Sequence, residues 1–239
     1  MNIVVDAGNT LTKIGIFEND TLKRKQVFNR DEGLEKVLQE LPVEHILVSS
    51  VTPGAPQLLA WSIASGKRFI LEADLLLPIK NDYGTPETLG VDRLAGACGA
   101  QFLFPRQDCL VIDAGTCINY EFINKEGQYF GGAISPGVQM RFEAMHHHTA
   151  RLPLAPVAKS PQLVGRSTIE CLQSGVMNGV LEEMKGTISR YSAQYPGVRV
   201  ILCGGDAHFF ENDINPSIFV APDLVLIGLN SILLHNVAL

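Results

Sequence analysis

Paired cysteines are what this sequence most clearly lacks. Its five cysteines (Cys98, Cys109, Cys117, Cys171 and Cys203) are odd in number, scattered and free of any C-x-x-C spacing. That pattern speaks against a disulfide framework and fits reduced, buried thiols in a cytosol. Long apolar runs are missing as well, since no stretch approaches the roughly 18–20 uninterrupted apolar residues that span a bilayer. The chain enters a strand-like pattern at once, with no basic segment leading into an apolar one, so no secretory signal is expected. Positive charge is scarce: 19 Lys and Arg face 25 Asp and Glu, for a net charge of −6. The only basic run, Lys23-Arg24-Lys25, reads as a solvated hairpin end, and the balance argues against an electrostatic nucleic-acid binder. The expectation is a cytoplasmic protein with neither nucleic acid nor membrane as partner.

What is present is an ordinary soluble composition, 46% hydrophobic and 18% charged over 239 residues. It suffices for a substantial core in one or two domains. The stretch around which the chain is organised is Asp6-Ala7-Gly8-Asn9-Thr10, set between Ile3-Val4-Val5 and Ile14-Gly15-Ile16-Phe17. A β-branched run, a Gly-containing turn and a second alternating run predict a β-hairpin. Its turn collects a carboxylate, a glycine that lets backbone approach a ligand, small polar side chains and, shortly after, Lys13. Backbone N–H groups, Thr and Asn suit phosphate oxygens, Asp suits hydrated Mg²⁺, and Lys supplies a mobile counter-charge. A polar Asx-type hairpin turn is the plain alternative.

The motif recurs. Leu110-Val111-Ile112-Asp113-Ala114-Gly115-Thr116, followed by an alternating strand at Ile118–Ile123, repeats the apolar run, the Asp-Ala-Gly and the hairpin. A strand–Asp–Gly–turn–strand unit opening each half implies two similar domains from one ancestral unit, 1–106 and 107–239. Between them the pattern predicts strands at 22–28, 45–51 and 68–71, helices at 31–41 and 57–65, and a turn at 52–56. A long loop runs from Pro78 to Gly90 and leads through Gly90-Val91-Asp92-Arg93 into a small-residue-rich helix, Leu94–Phe104; a loop of that length is more often functional than idle. The second half adds a strand at 130–137, a helix at 138–145 and a loop through His146-His147-His148-Thr149. Helices at about 168–192 and 223–236 flank a strand at 198–203 and the turn Gly204-Gly205-Asp206.

With both Asp-Gly turns, the Gly204-Gly205-Asp206 turn and this element order, the chain resembles the actin-like ATPase superfamily of sugar kinases, acetate kinase and Hsp70. Within it the sequence is similar to type III pantothenate kinases over nearly its whole length. The residues that carry the likeness are Asp6–Thr10 with Lys13; Tyr83-Gly84; Gly90-Val91-Asp92-Arg93; Asp113-Ala114-Gly115-Thr116; Gly131-Gly132-Ala133-Ile134-Ser135-Pro136-Gly137; Gly165-Arg166-Ser167-Thr168 with Ser174-Gly175; Gly204-Gly205-Asp206-Ala207; and Pro222-Asp223-Leu224-Val225-Leu226 with Gly228-Leu229. Cys117 stands where the family more often has Ala, and the 143–148 stretch is idiosyncratic.

The resemblance implies an α/β fold of two ribonuclease H-like (actin-like ATPase) domains with a nucleotide cleft between them, and ATP-dependent phosphorylation of pantothenate. It implies that Asp6, Ala7, Gly8, Asn9, Thr10, Leu11, Thr12 and Lys13, with Thr116, bind ATP. Asp6 would hold Mg²⁺ through water, and Asp113 a K⁺ or NH₄⁺ ion. Tyr83, Gly90, Val91, Asp92, Arg93 and Thr168 would contact pantothenate, Thr168 coming from the other subunit of a homodimer. Asp92 would be the general base. Its plain alternative is a helix N-cap, and the two are compatible, because in a loose transition state the acceptor hydroxyl loses its proton late. Arg93 offers a planar fork for carboxylate or carbonyl oxygens, with a surface ion pair to Glu87 or Asp82 as its alternative. Gly204-Gly205-Asp206 would lie by the adenosine. The three adjacent histidines lack partners at ligand spacing, so a metal role is not expected. Two rival readings are a same-fold kinase acting on another hydroxy acid or sugar, and a non-catalytic regulatory relative.

Overall fold

A computed structural model describes residues 1–51, 53–72, 74–214 and 217–239. In chain order the elements are β1 (Asn2–Ala7), β2 (Leu11–Glu18), β3 (Thr21–Asn29), α1 (Leu34–Glu40), β4 (His45–Ser50), α2 (Ala55–Trp61), β5 (Arg68–Ile70), β6 (Lys80–Asn81) and α3 (Val91–Leu103). Then follow β7 (Cys109–Ala114), β8 (Cys117–Ile123), β9 (Gln128–Pro136), α4 (Val138–His147), α5 (Thr168–Gln194), β10 (Arg199–Cys203), β11 (Phe219–Val220) and α6 (Leu224–Ala238). Thr52, in the turn expected at 52–56, lies outside the described residues.

Two compact units result. The first comprises Met1–Arg106, Ile123–Phe130 and Asp223–Leu239, the second Gln107–Phe122 and Gly131–Pro222. In the first, the strand order is β3-β2-β1-β4-β5. β1 sits at the centre, antiparallel to β2 and parallel to β4, so it is covered on both faces and reads as a continuous apolar run. Ile3, Val5, Ala7, Ile14 and Ile16 on one face pack with Leu34 and Leu38 of α1 and Leu58 of α2. α6 is apolar around its circumference and packs on α3. Glycine makes this approach possible: a Cβ on Gly99 would meet the Leu224 carbonyl oxygen at 2.5 Å, and one on Gly228 would overlap the carbonyl of Ala95. The hairpin tip 123–130 also belongs to this unit, where Gln128 and Tyr129 pair with Lys80 and Asn81 of β6.

In the second unit the order β9-β8-β7-β10-β11 repeats that of the first, with β7 in the place of β1 and parallel to β10. The repeat expected from two Asp-Ala-Gly turns is thus a repeat of topology. α5, 27 residues long, covers the sheet through Leu172, Val176, Met177, Val180, Met184 and Ile188. Its start follows a capping-box sequence: Ser167 accepts from the Glu170 N–H, and the Glu170 carboxylate accepts from the Arg166 N–H at 2.7 Å. The loop expected at 146–149 is a correction. Val138 and Phe142 are buried one turn apart and Met145 continues their face, so the helix runs on through His147, where the Thr149 hydroxyl donates to the Met145 carbonyl.

Candidate active site

In the first unit, the β1–β2 turn is closed by a hydrogen bond from the Gly8 N–H to the Leu11 carbonyl at 3.0 Å, leaving Asn9, Thr10 and Leu11 exposed at its tip. Strand alternation divides the residues on either side of the tip. Asp6 and Lys13 are register partners on one face, Ala7 and Thr12 on the other. The Ala7 face carries the α1 and α2 core. There Ala7, Gly8, Asn9 and Thr12 line a cavity of about 460 Å³ together with Arg30, Asp31 and Gln57. Hence the eight residues of 6–13 that are expected, with Thr116, to bind ATP do not share a face. Asp6 and Lys13 stand apart from Thr12, which is buried.

Asp6 is half-buried, and its carboxyl is pushed up from the ordinary 3.8 to about 6. Burial is the main cause, the Lys13 ammonium opposes it, and the nearby Asp92 carboxylate adds to it. Asp6 therefore lies close enough to feel the charges of both Lys13 and Asp92, although Asp92 is remote in sequence. Asp92 lies within the first turn of α3, not before it: the helix starts at Val91, with Gly90 in the N-cap position. Its Oδ1 accepts from the Arg93 N–H at 2.9 Å. A Cβ on Gly90 would come within 2.5 Å of that oxygen, so glycine there leaves room for the carboxylate.

Arg93 is almost fully buried, so it is not a solvated surface cation. Its guanidinium lies 5.5 Å from the centroid of the Tyr83 ring, a cation–π arrangement. Asp82 is engaged elsewhere, by Lys80 at 2.8 Å and by the Gln128 amide at 3.1 Å. The structure thus gathers Tyr83, Gly90, Val91, Asp92 and Arg93 in one unit with Asp6 and Lys13.

The second unit holds Asp113, Thr116 and Thr168. Asp113 is the penultimate residue of β7, opposite Cys203 of β10. The turn after it is closed from the Gly115 N–H to the Cys117 carbonyl, with Thr116 exposed at the tip. Two glycines press on it. The Gly137 N–H donates to the Thr116 carbonyl at 3.1 Å, and any Cβ on Gly137 would overlap the Gly115 and Thr116 carbonyls. Gly204, at φ +92, occupies the left-handed region, where a Cβ would strike the Ala114 carbonyl and the Asp113 carboxylate. Asp206 donates its N–H to the Ala114 carbonyl, and burial raises its own carboxyl while His208 moderates the rise. Thr168 is exposed at the first position of α5.

Sequence reasoning missed a polar cluster behind this turn. The Arg141 guanidinium donates to the Pro136 carbonyl, the Ser135 hydroxyl and, at 2.5 Å, the Glu183 carboxylate, which also accepts from the Tyr120 hydroxyl. Burial pushes the Glu183 carboxyl up, but the hydrogen bonds from Arg141, Tyr120 and Ser135 outweigh it and hold it below its ordinary value.

Among the described residues no group of three or more His, Cys, Asp or Glu side chains could hold a metal ion. The His146 ring bonds the Leu152 carbonyl. A lone carboxylate such as Asp6 still suits Mg²⁺, which keeps several waters and takes one or two carboxylates beside the phosphates of a nucleotide. Among the described residues no helix is long and apolar enough to cross a membrane.

The sequence profile of the type III pantothenate kinase family matches residues 2–190. A protein of Cytophaga hutchinsonii named type III pantothenate kinase is 44% identical over 238 residues, 99% of this chain and 100% of that one. Among solved structures, a Campylobacter jejuni protein described as a candidate Baf family transcriptional activator aligns with a TM-score of 0.66 and 22% identity, covering 99% of this chain and 100% of that one. A candidate N-acetylmannosamine kinase from Listeria monocytogenes aligns with a TM-score of 0.51 and 13% identity, covering 98% and 99%. Likenesses this distant in sequence speak to the fold alone. They agree with the repeated sheet order in giving the expected class, two ribonuclease H-like domains of the actin-like ATPase type.

Proposed function

The chain belongs to the type III pantothenate kinase family, and from that premise we propose that it uses ATP to phosphorylate the primary hydroxyl of pantothenate, giving 4'-phosphopantothenate, the first step toward coenzyme A. The observation that carries the assignment of roles is the shared neighbourhood of Asp6, Lys13 and Asp92, which couples the phosphate-type turn to a carboxylate at the head of α3.

In this reading the tip residues Gly8, Asn9, Thr10 and Leu11 meet the phosphates of ATP, Lys13 offsets their charge, and Thr116 adds a hydroxyl. Ala7 and Thr12 support the turn from behind. Asp6 would hold Mg²⁺ through water, and that ion would neutralise charge on the phosphate oxygens. Asp113 would take K⁺ or NH₄⁺, and Gly204-Gly205-Asp206 would lie by the adenosine. Tyr83, Arg93 and the Gly90–Val91 backbone hold pantothenate, completed by Thr168 of a second subunit in a homodimer working in the cytoplasm.

Asp92 orients the acceptor hydroxyl by accepting its hydrogen bond. As the acceptor oxygen bonds to the γ-phosphorus, the bond from that phosphorus to the β,γ-bridging oxygen breaks and ADP leaves. The hydroxyl proton passes late to the Asp92 carboxylate, so a base at the positive end of a helix is adequate. The test is ADP release from ATP, Mg²⁺ and pantothenate, with and without K⁺ or NH₄⁺. Cation-dependent turnover is expected. Turnover only with another alcohol would move the chain to a same-fold kinase of different substrate, and none with any acceptor would make it a regulatory relative.

A further inference from the structure

Tyr83 belongs to the long connection between β5 and α3, yet it is not free to wander. Its N–H donates to the Asn81 side chain at 3.1 Å, and the strand it follows is held by a segment distant in sequence. The Lys80 N–H donates to the Gly127 carbonyl at 2.8 Å, and the Asp82 N–H to the Tyr129 carbonyl at 2.9 Å. Side chains repeat the link. The Gln128 amide donates to Asp82, and its carbonyl accepts from Asn124 at 2.9 Å. At the centre is Tyr129, fully buried, with its ring centroid 6.3 Å from that of Tyr83 and the two planes 26° apart. Tyr83 therefore has the Tyr129 ring as its stacked neighbour and the Arg93 guanidinium over its face.

We propose that Tyr129 is a positioning residue for the acceptor substrate, and that the 123–130 hairpin tip serves as the seat that fixes Tyr83 and, through it, Arg93. Nothing in the chemistry requires Tyr129 to touch substrate. Its part is to hold one aromatic face at one place, so that the acceptor meets a preformed wall and does not have to order the 78–90 connection on binding. The inference rests on the reading of Tyr83 as a pantothenate contact.

A stacked aromatic pair is a modest interaction, so Tyr129→Leu is expected to raise KM for pantothenate by about two- to thirteenfold. The KM for ATP should stay in place, which a general loss of structure would not allow. Tyr129→Phe, which keeps the ring, should restore most of the pantothenate KM. Because Tyr129 is buried, Asn81→Ala provides a second route: it removes the backbone anchor of Tyr83 from a half-exposed position and should move the same constant. Tyr83→Leu separates the two layers of the argument. If Tyr83→Leu raises the pantothenate KM while folded Tyr129→Leu and Asn81→Ala leave it unchanged, the seat is refuted and the contact stands. If Tyr83→Leu itself leaves it unchanged, the contact fails and the seat with it.

Discussion

Replacing Asp6 by Asn should stabilise the nucleotide-free protein, and more so as pH rises. Burial lifts the Asp6 carboxyl from 3.8 unfolded to about 6 folded. Below the unfolded value both states are protonated, and the native protein bears no penalty. As pH climbs through the interval the unfolded chain ionises first, so native stability falls, and the loss is complete above about 6. At 1.36 kcal/mol per unit, a shift of just over two units is worth about 3 kcal/mol. About half of that falls between pH 5 and pH 8, a range open to urea denaturation. Asn carries no such charge. The stability difference between Asp6→Asn and wild type should therefore grow in favour of the variant by about 1.4 kcal/mol from pH 5 to pH 8, the Lys13 attraction being already contained in the net shift. A difference that stays flat across that range, or shrinks, would refute the claim that a costly buried charge is kept at the turn. The same carboxylate gives a kinetic signature: kcat/KM for ATP should fall as pH drops through about 6, and added Mg²⁺ should move that limb to lower pH.

Three further predictions concern glycines. Gly90→Ala should lower kcat with little change in unfolding free energy, because the added methyl meets the flexible Asp92 carboxylate and not backbone; an unchanged kcat would disconnect the placement of that carboxylate from turnover. Gly228→Ala sets a Cβ against the Ala95 carbonyl in the α3–α6 contact, and should cost about 1–3 kcal/mol by denaturation. Gly186→Ala, on α5 with open space around it, should instead add up to about 1 kcal/mol from helix propensity.

Local signals carried the hairpins, the two turns and most helix cores, because period-2 and period-3.6 patterns and Gly or Pro punctuation are properties of neighbouring residues. The head of α3 was misread by about a turn. Val91-Asp92-Arg93 carries no apolar repeat of its own, and Gly90 in the N-cap position has no side chain to announce the start. Three long-range features had no local signature at all. One is the seating of α6 on α3 through Gly99 and Gly228, another the pairing of Gln128 and Tyr129 with β6, and the last the Arg141–Glu183–Tyr120 cluster. Each depends on partners far apart in the chain. For the candidate site, the residue types at 83–93 and 6–13 were legible, but the division of the first turn into a face with Asp6 and Lys13 and a face with Ala7 and Thr12 required the strand register.

The most direct measurement is turnover of Asp92→Asn with ATP, Mg²⁺ and pantothenate, alongside binding of a nucleotide analogue to the same preparation. The account predicts a kcat about 10²–10⁴-fold below wild type while nucleotide binding and the unfolding midpoint stay close to wild type. A variant that binds nucleotide normally and still phosphorylates pantothenate at the wild-type rate would contradict it.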